Sequence, residues 1–131
     1  MLDIIYKFQE MLYKLLTQDQ SLKEKINGVY LTIQQDAKYP YLLINNLKAK
    51  SLSLHNKNQY EVEFNILVFS RDSNPLQLML IGENIAKIIT IDSLKSDNFN
   101  IINIKAGNFE ISPSHDLLTS KLVIGYKMLL R

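Results

Sequence analysis

At 131 residues the chain has the length of one ordinary domain, enough to bury a core without help from a metal or a disulfide. Its 47% apolar and 21% charged residues make a globular mix, and a formal net charge of +2 is too small to mark a nucleic-acid binder. The absence of cysteine excludes a disulfide framework, thiolate metal sites and a cysteine nucleophile together, and fits a reducing compartment.

The start, Met1-Leu2-Asp3-Ile4-Ile5-Tyr6-Lys7, carries charge too early for a signal peptide. No apolar run approaches the roughly 20 residues of a membrane span. The expectation is a cytosolic protein with no membrane partner. Leu2, Ile5, Phe8, Leu12, Leu15 and Leu16 recur at steps of three and four, the stripe of an amphipathic helix packed on a core. Asp19 is placed to cap a short second turn, with Leu22 and Ile26 facing inward. Asn27-Gly28 closes it, on the expectation that the glycine takes a left-handed conformation.

Strand-like text follows. Val29 to Ile33 is β-branched and aromatic, and Tyr39 to Ile44 is a second run whose Pro40 belongs at a strand start or an edge. Tyr60, Val62, Phe64, Ile66 and Val68 alternate with Glu61, Glu63 and Asn65, the pattern of a strand with one wet face. Leu67 and Phe69 make its end apolar on both sides, so something is expected to cover the outer face there. Between these strands, Leu47 to Gln59 is basic, with Lys48, Lys50, His55 and Lys57 and no acid. Leu52 and Leu54 alternate with serines, which predicts an extended arm ending in a hairpin tip and lacking a core of its own.

Asn74-Pro75 then reads as cap and first residue of a second helix running to about Thr90, with Leu78, Ile81, Ile85, Ile88 and Ile89 inward. Phe99 to Ile104 is a strand, continued past a bulge at Gly107 by Phe109 and Ile111. Ser112 to Asp116 reads as a turn. Leu118 to Leu130 is a long last strand, with Leu122, Ile124, Tyr126, Met128 and Leu130 on one face. The order α-β-β-β-α-β-β predicts an α+β fold: an antiparallel or mixed sheet of about five strands, two main helices on one face, and one domain over residues 1–131.

Catalytic equipment is missing. His55 and His115 lie sixty residues apart, neither with a second histidine at helix-borne metal spacing. His115-Asp116 beside Ser112 and Ser114 lacks a nucleophile elbow and a glycine-built oxyanion site, and reads as an exposed turn. Four glycines, none paired at short spacing, leave no phosphate cradle. Glu61 and Glu63 share a strand face, but such pairs commonly serve solubility. The arm has lysines without arginine, so it lacks the fork that reads bases. Neither an enzyme nor a metal or other cofactor is expected; function should lie in surfaces offered to other chains.

The layout resembles the tail-completion, or tail terminator, proteins of long-tailed bacteriophages, prophages and gene transfer agents. The likeness rests on Leu15-Leu16-Thr17-Gln18-Asp19 at a helix end, Tyr39-Pro40-Tyr41 opening a strand, and Val68-Phe69-Ser70-Arg71 closing another, in that order. It implies a structural virion protein at the neck end of the tail, assembled in the host cytoplasm into a ring, a hexamer in the family. Such a ring caps the tail tube protein, docks to a neck or head-completion protein, and passes DNA without reading it; the alternative readings are another neck or head-completion protein of the same particle, or a non-phage protein-binding adaptor domain. For this chain the expected interface residues are Lys48, Lys50, Leu52, Leu54, His55 and Lys57 on the arm, with Leu67 and Phe69 on the outer face.

Overall fold

The structure, a computed structural model, describes residues 2–32, 35–54, 57–113 and 118–131, with the side chains of 53, 54, 57 and 58 outside the description. In chain order the elements are α1 (Leu2–Gln18), α2 (Gln20–Lys23), β1 (Val29–Tyr30), β2 (Tyr41–Leu54), β3 (Lys57–Ser70), α3 (Leu76–Ile88), β4 (Ile101–Pro113) and β5 (Ser120–Leu130). The strands form one sheet in the order β1-β2-β3-β5-β4. β1 runs parallel to β2 and every other pairing is antiparallel, so the sheet is mixed and the fold is α+β as expected.

The period-two text of β3 explains the sheet's two faces. Val62, Phe64, Ile66 and Val68 pair with Met128, Tyr126, Ile124 and Leu122 of β5, and all eight are buried. Ile44 and Leu42 of β2 continue two of these rows. Onto this face pack Phe8, Leu12 and Leu16 of α1 and Leu78, Ile81, Ile85 and Ile88 of α3. Both main helices therefore cover one side, and burial of these aliphatic and aromatic side chains is the main stabilising term. Leu2 departs from its stripe and is 81% exposed.

Local signals set the helix ends. Thr17 turns its hydroxyl onto the Tyr13 carbonyl at 2.8 Å in the last turn of α1. Asp19 caps α2, its Oδ2 accepting from the Leu22 amide at 2.9 Å and from Asn84 Nδ2 at 3.4 Å. Asn84 Oδ1 in turn accepts from Ser21 and Lys25, which ties α2 to α3. Replacing Asp19 by alanine should cost about 1 kcal/mol, read as a lower urea midpoint with unchanged slope; no change would mean that water caps α2 equally well. At α3 the Asn74 carboxamide accepts from the Leu76 amide at 3.0 Å, and Pro75 already has helical angles. The expected cap and first residue thus act in those roles, although the hydrogen-bonded helix begins one residue later.

Several expectations change. The first strand shrinks to Val29–Tyr30, with Ile33 outside the described residues. Gly28 is not left-handed; no described glycine has a positive φ, and the residue that does is Asn46, at 57°. Glycine at 28 instead answers a close approach, since a Cβ there would lie 2.7 Å from the Tyr30 hydroxyl. Pro40 follows a cis Tyr39-Pro40 bond and stands just before β2. Phe99 is buried ahead of β4, against the ring of Phe8, rather than within it. Ser112 and Pro113 belong to β4, not to a turn, and 114–117 lie outside the described residues. The expected bulge after Gly107 is present: the register with β5 slips between Ala106 and Phe109.

Candidate interaction surface

The helices leave the opposite face of the sheet and its edges for contacts. On that outer face β2 and β3 set Lys48 beside Glu63 and Lys50 beside Glu61. Lys127 of β5 reaches both acids, with Nζ 3.3 Å from Glu63 and 3.9 Å from Glu61. Lys127 thus pairs with both carboxylates, with Lys48 and Lys50 as their cross-strand neighbours, and at these exposures each ion pair contributes only tenths of a kcal/mol. The glutamates that might have paired as acid and base are neutralised partners in a solvated charge ladder. Among the described residues no group of three or more His, Cys, Asp or Glu is arranged to hold a metal.

The same registers shorten the arm. Leu47 and Ala49 turn to the helix side and pack against the core, so the chain from Leu47 to Ser51 is sheet rather than free arm. The last rung flanked by β5 is Ser51–Tyr60, where Tyr60 pairs with Leu130. Beyond it β2 and β3 continue alone as a two-stranded ribbon through Leu52–Gln59, Ser53–Asn58 and Leu54–Lys57. Leu52 is half-buried on the outer face. The side chains of Leu54 and Lys57, and His55 entirely, lie outside the described residues, as do His115 and Asp116.

At the other end of the outer face is a cluster that sequence reading did not assemble. The Tyr41 and Phe69 rings stack at 5.1 Å, Tyr39 and Tyr30 contact Tyr41 at 5.2 and 5.7 Å, and the Arg71 guanidinium lies 4.4 Å over Tyr39. A cation over an aromatic face is favourable by roughly 0.5–1 kcal/mol at partly exposed sites. Burial raises the Tyr41 phenol above its ordinary value; Tyr39 adds to the rise and Arg71 opposes it. Leu67, next to this cluster, is 8% exposed, and Phe69 is half-buried. The signal was present in Tyr39-Pro40-Tyr41 and Ser70-Arg71, but pairing them requires the β2–β3 register.

Between the two ends the face is polar and narrow. A cavity of about 330 Å³ is bordered by Asn46, Asn65, Gly107, Gly125 and the charged Glu63 and Lys127. Backbone approach makes its floor: a Cβ at Gly107 would meet the Gly125 carbonyl at 3.3 Å.

The lateral edges are the third feature. β4 is an edge strand, exposed along most of its length, with Phe109 at 53% and Ile102 at 40% exposure. Phe109 lies over α3, its ring so close that a Cβ on Gly82 would meet it at 2.8 Å. On the opposite side, among the described residues, β1 pairs with β2 only at Leu42 and Leu43.

No family model matches the sequence, and no curated protein matches it. Solved structures do. A chain in the virion of the native gene transfer agent particle matches with a TM-score of 0.79 and 10% identity, covering 91% of this chain and 90% of that one. The gp17 protein of bacteriophage SPP1 matches with a TM-score of 0.70 and 16% identity, over 95% and 89% of the respective chains. At these identities the likeness is one of fold.

Proposed function

We propose that this chain is a structural protein of a phage-like particle, and within it a tail terminator: a ring, hexameric by the family resemblance, that caps the tail tube and joins it to the neck. The observation that carries the reading is the near end-to-end match, in both directions, to a chain of a gene transfer agent virion. A ring is a heterologous interface that closes, so each subunit needs two different complementary patches. The arm, with Lys48, Lys50, Leu52, Leu54, His55 and Lys57, is proposed as one, and the outer-face end at Leu67 and Phe69 as the other. Because Leu67 is already buried, Phe69 is the member with area left to give. The tube protein and a neck or head-completion protein are the proposed partners, at the neck end of the tail after assembly in the host cytoplasm. DNA would pass through unread; lysines without arginine suit that role.

The test joins Leu52 to Gln59 through Asn-Gly, replacing residues 53–58, whose rungs lie beyond the reach of β5. The shortened protein should unfold as cooperatively as the parent, yet fail to form rings, by light scattering, alone or with tube protein. A parent chain that stays monomeric with tube protein present would defeat the terminator reading. Loss of cooperative unfolding in the shortened protein would make the arm part of the core instead.

A further inference from the structure

We infer that the free edge of β4 in one copy of this chain pairs, antiparallel, with the free edge of β2 in the next, about Glu110 and Lys50. This rests on the ring reading above; it keeps the β2 arm as one ring patch and sets the β4 edge against it, which leaves the Leu67 and Phe69 end for the tube or neck partner. The sheet order leaves two edges open. β4 pairs only with β5 among the described residues, and β2 is covered by β1 only at Leu42 and Leu43, which leaves 44–54 open. Long open edges bearing exposed apolar side chains are ones that solitary proteins blunt. Here β4 exposes Phe109 at its edge and keeps its only proline, Pro113, for its last residue.

Strand direction agrees. β2 and β5 run one way and β3 and β4 the other. Rotation about an axis roughly along the strands preserves those directions, so β4 meets the next β2 antiparallel, with the helix-covered faces on the same side. Bulges limit the register. β2 is irregular between Asn45 and Lys48, and β4 between Ala106 and Phe109, so the longest open regular stretches are 48–54 and 109–113. Setting Glu110 opposite Lys50 aligns them, with Ser112 opposite Lys48, Ile111 opposite Ala49 and Phe109 opposite Ser51.

Charge selects this pairing over β4 against itself. Glu110 is the only charged residue of the 109–113 stretch and shares the outer face with Val123, while Lys105, the one base of β4, lies across the bulge. Open β2 carries Lys48 and Lys50 with no acid, and their cross-strand neighbours Glu63 and Glu61 are already paired with Lys127. Opposite charges across a strand pair favour association and like charges oppose it. Pairing β4 with β4 would also leave the β2 edge open, whereas a head-to-tail ring removes both edges.

The absence of cysteine makes the test direct. Directly opposed residues in antiparallel strands have Cα atoms about 4.5–5.5 Å apart, within disulfide reach. Glu110→Cys is combined in turn with Lys48→Cys, Lys50→Cys and Leu52→Cys, oxidised in the presence of tube protein, and run on non-reducing gels. One pair should give a covalent ladder ending at the ring's subunit number, and Glu110→Cys alone should give none. Ser112→Cys with Lys48→Cys reads the same register independently if a Glu110 variant folds poorly. Rings by light scattering with no ladder from any pair, or dimers from Glu110→Cys alone, would overturn the edge pairing and leave the ring reading standing. Monomers throughout would sink both.

Discussion

Replacing Phe64 by alanine is expected to destabilise the protein by about 3–5 kcal/mol, the range for removing a large buried aromatic ring. Phe64 lies at the middle of β3, 2% exposed, stacked on Tyr126 at 5.4 Å and tilted against Phe8 of α1 at 5.5 Å. It is the ring through which the sheet and α1 share one aromatic column, so its removal leaves a void bounded by two elements. Total stabilities of domains are about 5–15 kcal/mol, so the loss is a large fraction of what holds the fold. The melting temperature should fall on the order of 10–20 °C. A drop of only a few degrees would mean that α1 collapses into the space. Phe64→Leu, which keeps most of the volume, should recover more than half of the loss.

The second large effect is expected at alkaline pH. Burial pushes the Tyr126 phenol up from 10 to about 12. Below pH 10 it is protonated in both the folded and the unfolded chain. Between pH 10 and about 12 the unfolded chain releases this proton while the folded chain keeps it, so stability falls as pH rises. The gap corresponds to about 3 kcal/mol, fully present below pH 10 and lost by the time the folded phenol ionises. Tyr41 is shifted the same way, chiefly by burial, and adds to the decline. Tyr126→Phe keeps the ring stacked on Phe64 and removes the ionisation. Urea titrations at pH 7, 10 and 11 should show a shallower alkaline decline in the variant. Parallel declines in both proteins would place the alkaline weakness elsewhere.

Both effects converge on positions whose burial was legible in the sequence. The alternation from Tyr60 to Val68 and from Leu122 to Leu130 identified the inner faces of β3 and β5, because a half-wet strand must repeat every two residues. The stripe of α3 was equally plain: Leu78, Ile81, Ile85, Ile88 and Ile89 are all buried. Long-range register was not legible. Nothing local says that β5 inserts between β3 and β4, or that it reaches up to Tyr60 and so makes the base of the expected arm, residues 47–51, part of the sheet. The burial of Leu67 has the same character. Its neighbours Leu43 and Val123 come from other strands, and the nearby ring of Tyr41 is stacked by β2–β3 pairing. Gly28 misled for a different reason: glycine serves both left-handed backbone and close approach, and sequence alone does not separate the two. Lys48 and Lys50, proposed for the interface, were legible as charges, while their cross-strand partners Glu63 and Glu61 required the register to be seen.

That insertion of β5 also bears on how the chain reaches its native state. β2 with β3, and β4 with β5, are neighbours in sequence and can close as hairpins over short loops. The pairing that unites them joins residues such as Val62 and Met128, far apart along the chain, with all of α3 and β4 between them. The entropy of closing a long loop therefore falls chiefly on the meeting of two hairpins. Folds dominated by such distant pairings form on the millisecond-to-second scale rather than in microseconds. Until the two hairpins meet, the inner edges of β3 and β5 stand as unpaired as the outer ones.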